Sequence, residues 1–459
     1  MSVSLLWFRR DLRLGDNPAL LSAAAGADQV LPVFVLDDTL RQPSGLPRLT
    51  FLYRCLRALD ESMGGRLVVL HGRPEEVIAR VAREQSATSV HVAADFGPYG
   101  RRRDEAVEKS LGGGGPNGTG EVPLVRTGSP YAVAPGRVLK GDGAPFQVFT
   151  PFSRAWREHG WRPPAASPGE VAWATGTASA GIPADPELPA GLALPVAGEA
   201  AGLTRWQDFR TADVTAYRDR RNFPGADRTS RLSPYLKYGC VHPRTLLADL
   251  ADASDAGATT YRTELCWREF YADVLWHRPE SARTSLRPST RRMRTDTGPD
   301  AERRLAAWKE GRTGYPIVDA GMRQLQREAW VHNRLRMIVA SFLVKDLHLD
   351  WQLGARHFLQ HLVDGDLASN NHGWQWVAGT GTDSAPYHRV FNPLLQGNRF
   401  DPDGDYVRQY VSELAHVPGA AVHEPWKLPG GVPAGYPERI IEHAQERVEA
   451  LRRYGEISQ

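Results

Sequence analysis

One short segment of the sequence concentrates side chains that are suited to redox chemistry. Residues 364–376 read DGDLASNNHGWQW and combine two aspartates, two asparagines and two tryptophans. Carboxylates and amides can hydrogen-bond the polar edge of a planar heterocycle, while indoles can stack against its face and give up electrons. A capped helix start that carries two core tryptophans is the alternative interpretation. The density of these side chains favours a buried aromatic cofactor that exchanges electrons.

Two further motifs could hold the phosphates of such a cofactor and a flat substrate. The run TSRLSP at 229–234 places three hydroxyls around Arg231, which suits a diphosphate near a helix start. In ELCWREFY at 264–271, Glu264 and Trp267 are three residues apart and share a helix face. A carboxyl group beside an aromatic plane can bind a heteroaromatic substrate, whereas an exposed glutamate next to a core tryptophan is the alternative.

The motif NRLRM at 333–337 adds a mixed polar and sulfur-containing helix face. Asn333, Arg336 and Met337 project together, which favours a pocket wall over an ordinary core. Arg334 points elsewhere and could reach a phosphate group. A solvated surface charge is the alternative interpretation of Arg334.

The elements that must position these motifs fall into two parts. In the first part, short apolar runs with β-branched residues predict strands that alternate with helical patterns. The predicted strands are 5–8, 30–36, 67–70, 89–93 and 122–125, the predicted helices are 49–63 and 75–85, and a glycine-rich loop at 112–118 precedes the last strand. This alternation predicts a Rossmann-like parallel sheet with right-handed crossovers, although no GxGxxG follows the first strand.

The second part is helical almost throughout. Apolar residues at helical spacing predict helices at 260–276, 301–310, 315–328, 333–344 and 351–362. Between them and the sheet, residues 161–202 are rich in Pro, Ala and Gly and lack periodicity, which predicts a connecting segment. We therefore expect an α/β domain at 1–130, a connector at 131–205 and an all-α domain at 206–459.

Size and composition are typical of a soluble protein with two domains. The chain has 459 residues, of which 41% are hydrophobic and 24% charged, and its formal net charge is +3. This net charge does not by itself indicate nucleic acid, although arginine, which outnumbers lysine, suits phosphate contacts. Three widely spaced cysteines argue against a zinc site or disulfide framework and favour the cytoplasm. We find no signal peptide and no apolar run of membrane-spanning length.

The motifs together resemble the photolyase–cryptochrome family of flavoproteins. The similarity extends from WFRRDLRLGDNPAL to VHEPWKLP, with TSRLSPYLKYG, ELCWREFY, WVHNRLRMIVASFLVKDL and DGDLASNNHGWQW between them in order. Within this family the sequence is most similar to class I bacterial cyclobutane pyrimidine dimer photolyases. The resemblance implies an all-α FAD-binding domain and light-driven repair of pyrimidine dimers in DNA by electron transfer from excited FADH⁻.

The resemblance also implies which residues bind the flavin. Asn370 would face flavin N5, where a neutral amide favours repair over the aspartate found in plant cryptochromes. Trp374, Trp351 and Trp308 would form an electron path that reduces the flavin, with Trp374 nearest to it and Trp308 at the surface. The expected FAD-binding residues are Tyr217, Thr229, Ser230, Arg231, Leu232, Ser233, Arg336, Asp364, Asp366 and Asn370.

A pyrimidine dimer flipped out of DNA is the substrate that the resemblance implies. Glu264 would hydrogen-bond the carbonyl edge of the dimer, and Trp267 and Trp376 would stack against it. Met337 bears on the subtype, because (6-4) photolyases resemble this segment but place a histidine there. The expected DNA-contact residues are Arg221, Glu264, Trp267, Asn333, Arg334, Met337, Trp376, Arg389 and Gln396.

A second, light-harvesting chromophore is expected in the N-terminal domain. Residues 95–101 read DFGPYGR, which resembles the deazaflavin-binding type more than the folate-binding type. Arg48, Asp95 and Lys237 would then contact an 8-hydroxy-5-deazaflavin, with a flavin mononucleotide or an empty site as alternatives. We expect a monomer that uses no metal and no membrane. A blue-light-sensing cryptochrome and a (6-4) photolyase are the alternative functions.

Overall fold

The computed structural model describes residues 1–112, 122–383 and 389–457, so most of the predicted glycine-rich loop at 112–118 lies outside the described residues. The chain divides into two compact units. The first unit contains Met1–Glu187, Pro195–Val214 and Ser230–Pro279. The second contains Leu188–Leu194, Thr215–Thr229 and Glu280–Gln459.

Five parallel strands form the sheet of the first unit, as the sequence predicts. The strands are β1 Val3–Phe8, β2 Gln29–Leu36, β3 Val68–His71, β4 Ser89–Val92 and β5 Leu124–Arg126. They lie in the order β3-β2-β1-β4-β5, and every pairing is parallel. Near-continuous apolar runs suit strands that are covered on both faces, and β1 is buried from its second residue onward. The strand order reverses between β1 and β4, so the crevice at their carboxyl ends is a topological switch point.

Nineteen α-helices occur in the described ranges, and most of the predicted helices are among them. In chain order they are α1 Pro18–Gly26, α2 Asp38–Arg41, α3 Leu46–Ser62, α4 Pro74–Glu84, α5 Pro98–Leu111, α6 Phe149–His159, α7 Glu199–Ala212, α8 Tyr217–Arg220, α9 Ser233–Tyr238, α10 Pro243–Asp249, α11 Ala256–His277, α12 Pro299–Glu310, α13 Pro316–Glu328, α14 Asn333–Ser341, α15 Trp351–His361, α16 Leu367–Ala378, α17 Pro393–Phe400, α18 Asp405–Tyr410 and α19 His443–Ile457. Helices α8 and α12–α19 belong to the second unit. The stretch between α6 and α7 contains no α-helix and no strand, which agrees with its Pro, Ala and Gly content.

The second unit is organised around a continuous aromatic and aliphatic core. Trp308, Tyr315, Phe342, Phe358 and Tyr406 are among its fully buried side chains. Burial of such large side chains supplies most of the favourable free energy that holds these helices together. None of the helices within the described ranges is long and apolar enough to cross a membrane.

The helix predicted at 333–344 changes its character before its end. Helix α14 stops at Ser341, and Phe342–Asp346 continues as a π-helix. The wider turn shifts the register of the side chains, and such turns are often found at functional sites. Periodicity cannot reveal this change, because Phe342–Asp346 is too short a segment to show a period of its own.

Candidate functional site

An ion pair between the half-buried Arg336 and the buried Asp364 lies between α14 and the turn that precedes α16 in the second unit. The Nη2 atom of Arg336 donates to Oδ2 of Asp364 at 2.7 Å, and Nε of Arg336 donates to the carbonyl of Val331 at 2.8 Å. The other carboxylate oxygen, Oδ1 of Asp364, is buried and has no hydrogen-bond partner among the described residues. Since an unsatisfied buried carboxylate oxygen is costly, this atom is suited to accept a hydrogen bond from a ligand.

The amide of Asn370 is held in one orientation by its neighbours. Its Nδ2 donates to the carbonyl of Ala355 at 3.1 Å and to Oδ1 of Asn371 at 2.8 Å. Asn371 is itself fixed, because its Nδ2 donates to the carbonyl of Ala282 at 2.6 Å. Both protons of the Asn370 amide are thus engaged, and its Oδ1 is left as the atom that can accept from a ligand.

Asp366 has a structural role that the sequence comparison alone does not indicate. Its carboxylate accepts from the backbone N–H of Ser369 at 3.0 Å and caps the N-terminus of α16. The cap fixes the start of the helix that carries both Asn370 and Trp374. Its predicted contact with the flavin stays a prediction.

The structure brings two of the three predicted electron-path tryptophans into contact. The rings of Trp374 and Trp308 are 6.0 Å apart between centroids, and Phe358 lies against Trp374 at 5.1 Å. Trp308, however, is 0% exposed, so the prediction that it lies at the surface is wrong. It falls on the inner face of α12, seven residues after the buried Ala301, and its indole N–H donates to the carbonyl of Val339 at 3.0 Å.

The third tryptophan of the predicted path, Trp351, opens α15. It is 5% exposed, and its indole N–H donates to Oγ of Ser285 at 3.2 Å. Three residues later, Gly354 packs so tightly on α16 that a Cβ atom there would lie 2.1 Å from Cη2 of Trp374. Residues three apart share a helix face, so Trp351 and Gly354 lie on the same side of α15.

A cluster of arginines in the second unit surrounds the N-terminal end of α14. Arg334 donates to Oδ1 of Asn222 at 2.8 Å, and its guanidinium lies 4.4 Å from the ring centroid of Phe400. Burial, together with the positive charges of Arg221 and Arg399, lowers the pKa of Arg334 to about 10. Such a concentration of like charge suits a polyanion.

The sequence analysis missed Arg399 as a member of this cluster. Arg399 lies on α17, three residues after the predicted contact Gln396, and the helical spacing of the two residues was the available signal. Gln396 is half-buried and Arg389 is exposed. Asn333 is exposed at the start of α14, while Met337 and Trp376 are half-buried against the core of the second unit.

The predicted phosphate-binding run is divided between the two compact units. Tyr217, which begins α8, and Thr229 belong to the second unit, whereas residues 230–233 belong to the first. In the first unit, Oγ of Ser230 accepts from the hydroxyl of Tyr261 at 3.0 Å. Arg231 adopts a left-handed backbone with φ of 50°, an uncommon conformation for a residue with a side chain. Leu232 is buried and Ser233 begins α9.

The predicted substrate residues of the first unit lie on α11. Glu264 and Trp267 are both half-buried. Phe149 stacks on Trp267 with ring centroids 3.6 Å apart and an interplanar angle of 7°. Since Phe149 covers one face of the indole, a planar substrate can stack only on the opposite face.

The predicted antenna residues of the first unit gather at the topological switch point. Burial would raise the pKa of Asp95, but the guanidinium groups of Arg103, Arg10 and Arg9 hold it below its usual value. Asp95 follows β4, and Arg10 follows β1. Arg10 also donates to the carbonyl of Lys237 at 3.4 Å.

Tyr238 connects the other two antenna residues. Its hydroxyl donates to the carbonyl of Arg48 at 2.9 Å, and Nζ of Lys237 lies 5.3 Å from its ring centroid. Gly239 allows this segment to approach the loop after β1, because a Cβ atom there would lie 1.9 Å from the carbonyl oxygen of Arg10. The first unit thus brings Arg48, Asp95 and Lys237 to one region.

The first unit is a parallel α/β fold with charged residues at its switch point, and the second is a helical unit with a partly buried ion pair and an oriented amide. These features define a two-part cofactor-binding protein. Residues 4–169 match the family described as DNA photolyase, and residues 261–456 match the FAD binding domain of DNA photolyase. The deoxyribodipyrimidine photo-lyase of Streptomyces griseus is 43% identical over 99% of this chain and 100% of its own length.

Solved structures agree with the sequence comparison. A bacterial class III photolyase from Agrobacterium tumefaciens is 34% identical and has a TM-score of 0.88, covering 100% of this chain and 98% of that one. An archaeal photolyase from Sulfolobus tokodaii with two FAD molecules is 29% identical and has a TM-score of 0.83, covering 99% of this chain and 100% of that one. The chain therefore belongs to the DNA photolyase family.

The second unit fits the isoalloxazine ring of FAD. The buried Oδ1 of Asp364 requires a donor, which a flavin ring can supply from an N–H group. The guanidinium of Arg336 places positive charge beside it, and Asn370 offers a fixed acceptor oxygen. The donor and acceptor set of these residues is therefore compatible with a reduced, anionic flavin.

Proposed function

We propose that this protein repairs cyclobutane pyrimidine dimers in DNA with the energy of blue light, as a carbon–carbon lyase. The observation that carries the proposal is 43% identity, over essentially the whole length of both chains, to a protein named deoxyribodipyrimidine photo-lyase. The Arg336–Asp364 pair and the oriented amide of Asn370 support it, because they suit a reduced flavin.

Bound FAD would supply the light-absorbing ring and the electron that opens the cyclobutane ring. Residues of the chain would orient the flavin and compensate its negative charge. Arg336 offsets negative charge beside the flavin, and Asn370 accepts a hydrogen bond at the position proposed for N5. The cap that Asp366 provides holds α16 in place, so that the amide keeps its orientation.

Glu264 and Trp267 are the proposed binding groups for the lesion. The carboxyl group of Glu264 can hydrogen-bond the polar edge of a thymine and stabilise charge that develops there. Trp267 offers the ring face opposite Phe149 for stacking, and we assign Trp376, Asn333 and Met337 to the remaining contacts. Met337 supports a cyclobutane dimer over a (6-4) product, since its thioether can neither donate nor accept a proton as a histidine does.

The arginine cluster of Arg221, Arg334 and Arg399 is the proposed contact with the DNA backbone, together with Arg389 and Gln396. Guanidinium groups form bidentate hydrogen bonds with phosphate, and such phosphate contacts do not discriminate between bases. We expect binding that weakens steeply with salt and depends little on sequence. Photolyases are among the enzymes that act on bases flipped out of the duplex.

An antenna chromophore of the 8-hydroxy-5-deazaflavin type is proposed at the switch-point crevice, with Arg48, Asp95 and Lys237 as its contacts. The meeting of these residues at the carboxyl ends of the strands supports a ligand there. The photolyase from Sulfolobus tokodaii, which holds two FAD molecules, makes a second flavin the main competitor. Absorption spectra of the chromophore released from the purified protein distinguish the two.

The photolyase class, the oligomeric state, the cellular location and the domain bounds are also part of the proposal. The motif matches favour class I, while the similar structure from Agrobacterium tumefaciens is described as class III. We propose a cytoplasmic monomer in which residues 1–130 bind the antenna with a further contact from Lys237, residues 131–205 connect the domains and residues 206–459 bind FAD.

Repair of defined oligonucleotides tests the proposed function. The reduced protein, illuminated with blue light, should restore thymines in an oligonucleotide that carries one cyclobutane dimer, and a dark control should not. An oligonucleotide with a (6-4) photoproduct serves as the matched substrate control. Repair of the (6-4) product alone would reassign the substrate, and photoreduction of FAD without any repair would favour a light sensor.

A further inference from the structure

A cavity of about 360 Å³ in the second unit reaches the side chain of Trp351. It is bounded by the segment before α12, by the start of α15 and by α19. Thr284, Ser285, Thr290 and Thr295 are among the residues that line it together with Trp351. The lining of the cavity is therefore mixed, with hydroxyl-bearing residues beside apolar ones, and the cavity is large enough for a small organic molecule.

Trp351 is the member of the proposed electron path that meets this cavity. It makes no ring contact with another aromatic side chain in the described part of the chain. Trp308, which was expected to reach the surface, is fully buried against Trp374. An electron donor in solution can therefore approach the path at Trp351 but not at Trp308.

The cavity wall is cationic. Arg291, Arg294 and Arg453 line it, and Asp350 is the one carboxylate among the described lining residues. The Oδ1 atom of Asp350 is occupied, because it accepts from the backbone N–H of Gln352 at 2.9 Å and caps α15. Arg453 and Arg294 are paired with the carboxylates of Glu449 and Asp296 behind the wall. Arg291 therefore supplies the charge that favours an anionic ligand.

Arg291 is the guanidinium best placed to receive such a ligand. Arg453 is paired with Glu449 at 2.7 Å, and Arg294 lies 3.4 Å from the same carboxylate. Arg291 uses only its Nε atom, which donates to the carbonyl of Ser285 at 2.9 Å, and its terminal nitrogens make no hydrogen bond to the described residues. Because Ser285 also accepts from the indole of Trp351, an anion bound at Arg291 would lie close to the indole.

We propose that this cavity binds a small anionic enediol reductant, of which ascorbate is the simplest probe, and that the bound reductant restores Trp351 during photoreduction. This inference rests on the proposed function, because photoexcited oxidised flavin is the oxidant that withdraws one electron through Trp374. Trp351 then receives one electron from the enediol monoanion. The monoanion gives this one electron to the oxidised Trp351 and one proton to water, and it becomes a radical anion.

Flash kinetics on the FAD-loaded protein test the proposal. After one flash, the absorbance of the oxidised tryptophan should decay faster as ascorbate is added. In Arg291→Gln the second-order rate constant for ascorbate should fall several-fold, while the rate constant for uncharged hydroquinone stays unchanged. Arg292→Gln is the matched control, because Arg292 is the next residue, is exposed and does not line the cavity. Equal rate constants for ascorbate in the two variants would overturn the proposal.

Direct binding gives a second readout that does not depend on flavin chemistry. Saturation-transfer NMR in the dark should show ascorbate bound to the wild-type protein and to Arg292→Gln, with a weaker signal in Arg291→Gln. Met293→Phe, which enlarges a half-buried lining residue, should weaken the signal without removing charge. An undiminished signal in Met293→Phe and Arg291→Gln would place ascorbate elsewhere. Dimer repair by chemically reduced protein needs no external donor. An absence of such repair would therefore contradict the proposed function and would not bear on the proposal for this cavity.

Discussion

The amide of Asn370 illustrates how single side chains set the chemistry of the site. Its two protons are committed to Ala355 and Asn371, so the oxygen is the only part of the amide left for a ligand. Asn371 acts as the fixed point, because its own amide is held by the carbonyl of Ala282. A carboxylate in place of Asn370 would have the same shape but no protons to donate.

Asn370→Asp should therefore weaken the protein as well as change the flavin site. The substitution leaves the carbonyl of Ala355 and Oδ1 of Asn371 without their donor, which costs about 1–3 kcal/mol of unfolding free energy. Urea denaturation of the FAD-free protein measures this loss, and Asn398→Asp, on the exposed face of α17, is the control. Equal midpoints for the two variants would show that the amide network does not hold Asn370.

Trp374→Phe should block photoreduction of oxidised FAD while leaving repair by chemically reduced protein intact. Phenylalanine preserves the packing on Phe358 and Trp308 but is far harder to oxidise. Photoreduction is followed by the bleaching of flavin absorbance under blue light with an added reductant. Trp330→Phe, outside the proposed path, is the control. Unimpaired photoreduction in Trp374→Phe would mean that electrons take another route.

Residue types and spacing marked the segment with Asp364 and Asn370, and the helix face with Arg336, as unusual, and the family resemblance then assigned these residues to the flavin. Residue types and spacing were not enough to place Trp308. Whether a tryptophan on an amphipathic helix faces the core or the solvent depends on the neighbouring helices, and the sequence of α12 does not specify them. The structure shows the inner face, with Val339 as the partner of the indole.

At the scale of the elements, the contact of α15 with α16 depends on Gly354, a residue without a side chain. Gly354 lets the two helices approach until the ring of Trp374 fills the space where a Cβ atom would be. Sequence alone gives no sign of this close approach, because a glycine in a helix is equally compatible with an exposed position.

Gly354→Ala should destabilise the protein by about 1–3 kcal/mol, since the added methyl group would lie 2.1 Å from the Trp374 ring and 2.7 Å from Leu343. Gly373→Ala on α16 is the matched control, because a Cβ atom there meets nothing within 4 Å and alanine favours the helix. Thermal unfolding compares the two variants. An increase in melting temperature for Gly354→Ala would contradict the packing described here.

The π-helical segment buries a titratable pair against α19. Burial raises the pKa of Asp346 from 3.8 to about 6, and a hydrogen bond from His443 offsets part of that rise. Because the folded state binds the proton more tightly than the unfolded state, this group favours folding most below pH 4. That contribution is lost as the pH rises through 6.

Asp346→Asn should therefore gain stability relative to the wild type as the pH rises from 4 to 7. The expected change in the difference of unfolding free energies is about 1–3 kcal/mol. Urea denaturation at several pH values measures it, with the exposed Asp300→Asn as control. Parallel pH curves for Asp346→Asn and the wild type would show that Asp346 titrates normally.

At the scale of the whole molecule, the alternation of strands and helices was the most reliable signal. All five strands and their parallel pairing follow from apolar runs separated by helical patterns, whereas the order of the strands comes from the structure. The division of the residues between the two compact units was harder to predict from the sequence. Residues 215–229 join the second unit and residues 230–279 the first, although both lie in a continuous helical pattern. Such exchanges depend on long-range packing, which local periodicity does not encode.

Repair without net oxidation of the flavin is the central claim of this account. The direct measurement is a series of single blue flashes on the reduced protein bound to an oligonucleotide that contains one cyclobutane thymine dimer. The amounts of restored thymine and of reduced flavin are measured after each flash. We predict that thymine accumulates while the amount of reduced flavin stays constant. Loss of one reduced flavin for each dimer split, or no restored thymine at all, would contradict the account.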